Sequence, residues 1–238
     1  RLIKGLLNKG KQVKGRLDGS ISRTGELNPN LVGKALGMEV KEGFPTPELL
    51  APRPPKLCDG CPHIDSYTAL NEAMKSYGEY KVFADIGCYT LGALPPLKAI
   101  YTTVDMGASI TMAKGAAEAD LRPTVAVIGD STFTHSGMTG LLDCVVDNVP
   151  VTVMILDNGI TGMTGSQKSS ATGRIESICQ GIGVDPEHIR VINPLPSKLE
   201  ENIKVIQEEL EYQGVSVIIP RRECIVWANK KRKMAKKS

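Results

Sequence analysis

The chain has 238 residues, 41% hydrophobic and 23% charged, which is enough for one large core and ordinary for a globular fold. Aromatic residues make up only 4%, which argues against a stacking surface for single-stranded nucleic acid, and no apolar run approaches the roughly 20 residues of a membrane-spanning helix. The net charge of +3 is local: residues 230–237 (KKRKMAKK) hold six basic residues, leaving 23 Lys and Arg against 26 Asp and Glu, so the body is not a nucleic-acid binder.

In chain order, residues 1–57 read as an extended arm or linker, weakly periodic and punctuated by Pro45, Pro47, Pro52, Pro54 and Pro55. The opening Arg1-Leu2-Ile3-Lys4-Gly5 has no apolar stretch of signal-peptide length. The expected setting is therefore cytoplasmic and reducing, in which six cysteines serve metal or redox chemistry rather than disulfides. A helix capped by Ser66, with Tyr67, Leu70, Met74 and Tyr77 on one face, ends at Gly78. A strand is expected at 80–86, an Ala-rich helix at 107–120 and a buried strand at 124–129. Met138, Leu141, Leu142, Val145 and Val146 mark an amphipathic helix, followed by a strand at 151–156 and a Gly/Thr/Ser-rich loop at 158–173. A helix at 174–181, a strand at 189–192, a helix at 197–213 and a strand at 215–219 complete a domain spanning 58–226; the basic residues 227–238 read as a solvated, disordered tail.

Strands alternating with helices, and apolar enough to be buried on both faces, predict an α/β fold: a doubly wound, mostly parallel sheet with helices on both faces. Such sheets bind ligands beyond the carboxyl ends of their strands. Two strands there end in Gly129-Asp130-Ser131 and Asp157-Asn158-Gly159-Ile160, separated by one helical crossover. Magnesium favours hard oxygen ligands completed by phosphate and water, which Asp130, the Asn158 amide oxygen and the Ile160 carbonyl could supply. A helix opening at Ser136-Gly137 would aim free N–H groups at a phosphate, and Gly162, Gly165 and Ser166 would allow close backbone approach. Each piece alone is a common turn. Together, GDS followed by Asn158 after a second strand matches the motif of enzymes that bind thiamine diphosphate (TPP).

Cys58 and Cys61 form a CxxC before the first helix, Cys88 follows the first strand and Cys224 follows the last. Four thiolates from three loops suit a [4Fe–4S] cluster; a zinc site, with His63 replacing one cysteine, and free thiols are alternatives left open by spacing. Cys144 and Cys179 read as core residues. His63 reads as a loop histidine with a local hydrogen bond, His135 as a neighbour of the diphosphate region, and His188 as surface.

The segments LCDGCPH (57–63), ADIGCYTLG (84–92), VDMGASI (104–110), GDSTFTHSGMTGL (129–141) and LDNGITGMTGSQ (156–167) resemble the alpha subunits of indolepyruvate:ferredoxin oxidoreductases, within the 2-oxoacid:ferredoxin oxidoreductases. RTGELNPNLV (23–32) resembles the connector before their TPP-binding domain. The resemblance implies oxidative decarboxylation of an arylpyruvate with coenzyme A and ferredoxin. It implies Mg2+ on Asp130, Asn158 and Ile160, with Gly129, Ser131, Thr164 and Gly165 near the diphosphate and Gly87 and Thr90 bordering the thiazolium end. It also implies a [4Fe–4S] cluster on Cys58, Cys61, Cys88 and Cys224, an oligomer with a beta subunit, and no nucleic-acid or membrane partner. Three departures stand out. The activating glutamate belongs to a pyrimidine-binding domain absent from this sequence, a ferredoxin-like segment does not follow, and Asp59 and Glu223 replace prolines. The chain is thus expected to be a fragment or one part of a split enzyme, inactive alone. A non-redox TPP decarboxylase or lyase, and a zinc-stabilised assembly module, are the competing readings.

Overall fold

VAVIG, VTVMIL and VSVIIP form the centre of one sheet because each is apolar on both faces and wholly buried. The computed structural model describes residues 9–236 apart from 12, 42, 46, 52, 53, 79 and 80. The chain divides into two compact units at residues 53/54. In the first, helix α1 (Pro29–Ala35) starts at Pro29 and is capped by Asn28, whose side chain accepts from the Leu31 N–H at 3.0 Å.

The second unit contains β1 (Val82–Ala84), β2 (Thr102–Thr103), β3 (Val125–Gly129), β4 (Val151–Leu156), a small antiparallel hairpin of β5 (Ile160–Thr161) and β6 (Gln167–Lys168), then β7 (Ile189–Ile192) and β8 (Val215–Pro220). The main sheet is parallel, in the order β2-β1-β3-β4-β8-β7. Helix α2 (Pro62–Met74) covers one face, and α3 (Ala108–Glu118), α4 (Met138–Val146) and α5 (Ile175–Ile182) cover the other, while α6 (Leu199–Glu211) returns to the first. Side-chain alternation sorts the strands between two cores: Val125, Val127, Met154, Leu156 and Ile218 face Tyr67 and Leu70, whereas Ala126, Ile128, Val153, Ile155 and Val217 face Ile110, Leu141 and Ile175.

The doubly wound architecture is as expected, with four local differences. Helix α2 begins at Pro62 with Cys61 as cap, because proline is pre-organised for a first helical position; Ser66 instead donates to the Pro62 carbonyl at 3.0 Å from within the helix. The first strand ends at Ala84, since the next residue turns inward. Of the apolar stripe on α4 only Leu141 is fully buried, while Leu142 and Val146 are 47% and 72% exposed. Of the tail expected to be disordered at 227–238, residues up to Ala235 belong to helix α7 (Ile225–Ala235), started by Cys224 and exposed beyond its first turns, with Lys231 paired to Glu223 just ahead of the helix; residues 237 and 238 lie outside the described residues. Among the described residues, no helix is long and apolar enough to cross a membrane.

Candidate cofactor site

The chain leaves β1 towards β2 on one side and returns to β3 on the other, so the sheet reverses its winding between β1 and β3. Loops diverge at such a switch point and leave a crevice at the carboxyl ends. A cavity of about 270 Å³ lies there, lined by Ile86, Gly87 and Cys88 after β1, Gly129 to Thr132 after β3, and Asn158 to Thr164 apart from Gly159 after β4. Because Gly129 pairs with Leu156 in adjacent parallel strands, Asp130 and Asn158 emerge at the same edge into the same cavity.

Asp130 is 3% exposed. Its Oδ1 accepts from the Ser131 N–H at 2.8 Å, while Oδ2 is the buried side-chain oxygen without a partner among the described residues. Burial pushes its pKa up to about 6, assisted by the nearby Asp157 charge and opposed by the Ser131 N–H and, more weakly, by the Ser169 side chain and the Gly159 backbone. Asp157 itself is matched: Arg221 Nε lies 2.7 Å from its Oδ2 and clamps Glu176 with its other nitrogens at 2.8 Å. One carboxylate is thus neutralised by the protein and the other is left facing a cavity, an arrangement that favours a bound cation. Asn158 turns its Oδ1 to the Ile160 N–H at 3.0 Å and its Nδ2 to His63 Nε2 at 3.3 Å.

The helix beside the cavity starts at Asp130, not at Ser136-Gly137: a first turn (Asp130–Thr132) runs through a π-helical turn (Phe133–Gly137) into α4. Its free N–H groups are therefore those next to Asp130, and Ser136 is engaged with the Met106 carbonyl at 2.7 Å. Thr164 lines the cavity, whereas Gly165 sits in the β5–β6 turn at φ +120° and does not. Thr90 shapes the β1 loop, accepting from the Gly87 N–H at 2.9 Å and donating to the Asp85 carbonyl at 2.6 Å. His135 is exposed and bonded to Ser136, outside the cavity lining.

Two residues that the sequence did not single out organise the loops. Asp85, fully buried, accepts from the Tyr89 hydroxyl, the Gly107 N–H at 3.0 Å, the Ser109 N–H at 3.3 Å and the Ser109 hydroxyl at 2.6 Å. Tyr89 packs where a side chain on Gly129 would stand, 2.5 Å from its ring. Gly129→Ala should therefore displace the Tyr89 ring and cost about 1–3 kcal/mol by overpacking. Urea denaturation measures it, and an unchanged midpoint would show that the ring yields freely.

Cys58, Cys61, Cys88 and Cys224 line a second cavity of about 100 Å³. Burial pushes Cys61 up to about 11, with smaller contributions from the other three sulfurs, and burial also raises Cys88, again with contributions from Cys224 and Cys58. Gly162 lets the loop close over Cys88, whose Sγ would lie 3.2 Å from a Cβ there. Among the described residues no three His, Cys, Asp or Glu side chains meet closely enough to hold a single metal ion. The four cysteines frame a space rather than converge on a point. Cys144 and Cys179 are fully buried in the core, both pushed up to about 12 by burial. His63 is buried on α2 rather than local to a loop, and half-buried His188 stacks on Tyr212 at 3.4 Å and meets Glu209 at 2.9 Å.

A switch-point cavity floored by an unneutralised carboxylate stands where open α/β domains bind their ligands. Residues 85–219, just over half the chain, match the family model of the thiamine pyrophosphate enzymes' C-terminal TPP-binding domain, and the chain belongs to that family. Relatives include proteins named indolepyruvate oxidoreductase subunit IorA from Archaeoglobus fulgidus (35% identical, covering 94% of this chain and 39% of the relative) and Pyrococcus horikoshii (36% identical, covering 82% and 34%). The chain thus spans about a third to two fifths of the length of these relatives. The fold is shared with a solved 2-oxoglutarate:ferredoxin oxidoreductase from Magnetococcus marinus, with 2-oxoglutarate, coenzyme A and succinyl-CoA bound, at TM-score 0.59 and 19% identity over 73% of this chain and 66% of that one.

Proposed function

We propose that this chain is the TPP- and Mg2+-binding part of an oxidoreductase that oxidatively decarboxylates 2-oxoacids, arylpyruvates such as indolepyruvate, to acyl-coenzyme A with ferredoxin as electron acceptor. The single observation that carries it is the unpaired, buried Asp130 oxygen in a cavity shared with Asn158, in a chain related to indolepyruvate oxidoreductase subunits. Asp130, Asn158 and the Ile160 carbonyl would hold the Mg2+, and Gly129, Ser131 and Thr164 would accommodate the diphosphate. Gly87 and Thr90 would set the loop against the thiazolium end. Cys58, Cys61, Cys88 and Cys224 would hold a [4Fe–4S] cluster, whose thiolate set is wider than that of a single ion and so suits a framed cavity. When bound, TPP is the electron sink for decarboxylation and the cluster a one-electron acceptor next to it. The chain's own residues bind, orient and exclude water: Asp130 supplies charge, Asn158 a neutral oxygen, and Tyr89 with Asp85 fixes the loop bearing Cys88.

The activating glutamate, the remaining substrate pocket and the route to ferredoxin would come from a pyrimidine-binding domain, a beta subunit and oligomeric partners in the cytoplasm. Anaerobic purification should yield a brown protein with an absorption band near 400 nm and four irons per chain, on the assignment of four thiolates to one cluster. Cys61→Ser should lose most of that iron while keeping Mg2+-dependent TPP binding. A colourless, iron-free protein that still binds TPP would favour a non-redox decarboxylase instead. The assembled enzyme should reduce ferredoxin with indolepyruvate and coenzyme A, and turnover confined to aliphatic 2-oxoacids would remove the arylpyruvate assignment.

A further inference from the structure

The two cavities share a wall. His63, Cys88, Asn158 and Gly162 line both the diphosphate-side cavity and the cysteine cavity. His63 is 3% exposed, in the first turn of α2 two residues after Cys61, and its ring stands edge-on to Tyr89 at a centroid separation of 6.3 Å. It therefore has little freedom to move.

Asn158 is itself ambiguous as a ligand. Its side chain carries an acceptor oxygen and a donor nitrogen of nearly equal shape, and only the oxygen can meet a cation. The Ile160 N–H at 3.0 Å asks for the oxygen on one side, and His63 Nε2 at 3.3 Å faces the nitrogen on the other. Because an amide NH2 can only donate, the imidazole nitrogen is the acceptor in that contact. A flipped amide would oppose two donors at Ile160 and turn an oxygen lone pair against the His63 ring. Without His63, the flipped state loses half of its penalty and the buried Nδ2 loses its partner.

We infer that His63 is a positioning residue: it accepts from Asn158 Nδ2 and thereby presents Asn158 Oδ1 to the divalent cation, tying the loop of the cysteine cavity to the ligand set of the diphosphate cavity. This rests on the Mg2+–TPP reading above. It gives the CxxC-bearing end of α2 a direct mechanical hold on the metal ligand. Groups that hold a ligand in this way commonly govern affinity although they never touch the ion.

The test is titration of the full chain with Mg2+ at saturating TPP, read by calorimetry, for His63→Leu and His63→Gln. Leucine removes the acceptor; glutamine can place its Oε1 where Nε2 stood. His63→Leu should weaken Mg2+ binding about tenfold or more, with a lower ligand-free melting temperature because Nδ2 is left unpartnered, and His63→Gln should restore binding to near the unsubstituted value. A purely structural histidine would alter melting without this Leu–Gln split. Should the leucine variant fail to fold, His63→Asn replaces it, since its shorter amide cannot reach Asn158. Equal Mg2+ affinity in the Leu (or Asn) variant, or a Gln variant as weak as it, overturns the inference alone. Failure of the unsubstituted chain to bind TPP in a Mg2+-dependent way takes down the cofactor reading and this inference with it.

Discussion

Asp130→Asn is expected to stabilise the ligand-free chain at neutral pH while abolishing its stabilisation by Mg2+ and TPP. The carboxyl is 3% exposed with one oxygen unpartnered, and burial moves its pKa from the usual 3.8 to about 6. The folded chain therefore holds this proton more tightly than the unfolded chain. Between those two values stability falls as pH rises, and above about 6 the full cost of a buried, uncompensated charge is present. That cost is about 3 kcal/mol at most, at 1.36 kcal/mol per pH step of displacement. An isosteric amide removes it, so the variant should melt several degrees higher at pH 7–8 and lose that advantage as pH falls below 4. With Mg2+–TPP the order reverses: a ligand at 1,000 times its Kd adds about 4.1 kcal/mol to the original chain and nothing to the variant. Melting curves at pH 4 and 7.5, with and without Mg2+–TPP, decide it. A variant that is less stable without ligand, or that still responds to Mg2+–TPP, would show that Asp130 is held by the protein's own contacts rather than kept for a cation.

Asp130 and Asn158 were legible because both stand at the ends of apolar runs that can only be central strands, and strands joined by one crossover place their ends together. The spacing of Cys58, Cys61, Cys88 and Cys224 was legible for the same reason: each follows or precedes a well-marked element, so their loops share a rim. Asp85 was not. It lies inside the strand expected at 80–86, and its partners Gly107 and Ser109 are 22 and 24 residues away, a separation that periodicity does not report. His63 read as a loop residue because Ser66 gave a stronger capping signal than Pro62, although proline at a first helical position was the better cue. The two-residue β2 leaves no pattern to read. Helix α7 was hidden by composition: a run of Lys and Arg carries no apolar stripe, yet Cys224 starts a helix whose first residues, Ile225 and Val226, line the cysteine cavity.

These misses share a cause. Local signals fix elements, but the residues that hold one loop against another act through contacts that sequence distance conceals. In this chain such residues join the two cavities, so their removal should be felt at both. Asp85 is the strongest case.

Asp85→Ala should cost about 3–5 kcal/mol and disable both cavities, although Asp85 lines neither. Its carboxylate gathers the Tyr89 hydroxyl, two backbone N–H groups and the Ser109 hydroxyl. Burial pushes its pKa up, and the Ser109 and Tyr89 hydroxyls and the backbone N–H groups pull against that push, so the charge is held by donors rather than by solvent. Truncation leaves those donors buried and unmatched, each worth about 1–3 kcal/mol and not fully additive. It also frees the segment carrying Ile86, Gly87 and Cys88 from the start of α3. Three readouts should then move together: the urea midpoint falls with an unchanged slope, the Gly107 and Ser109 amides exchange faster, and both Mg2+-dependent TPP binding and iron content drop. Asp85→Asn keeps one acceptor oxygen and should lie between the two. A loss below about 1 kcal/mol, or normal TPP and iron binding in the alanine variant, would mean that Tyr89 and the α3 start hold the loop without the carboxylate.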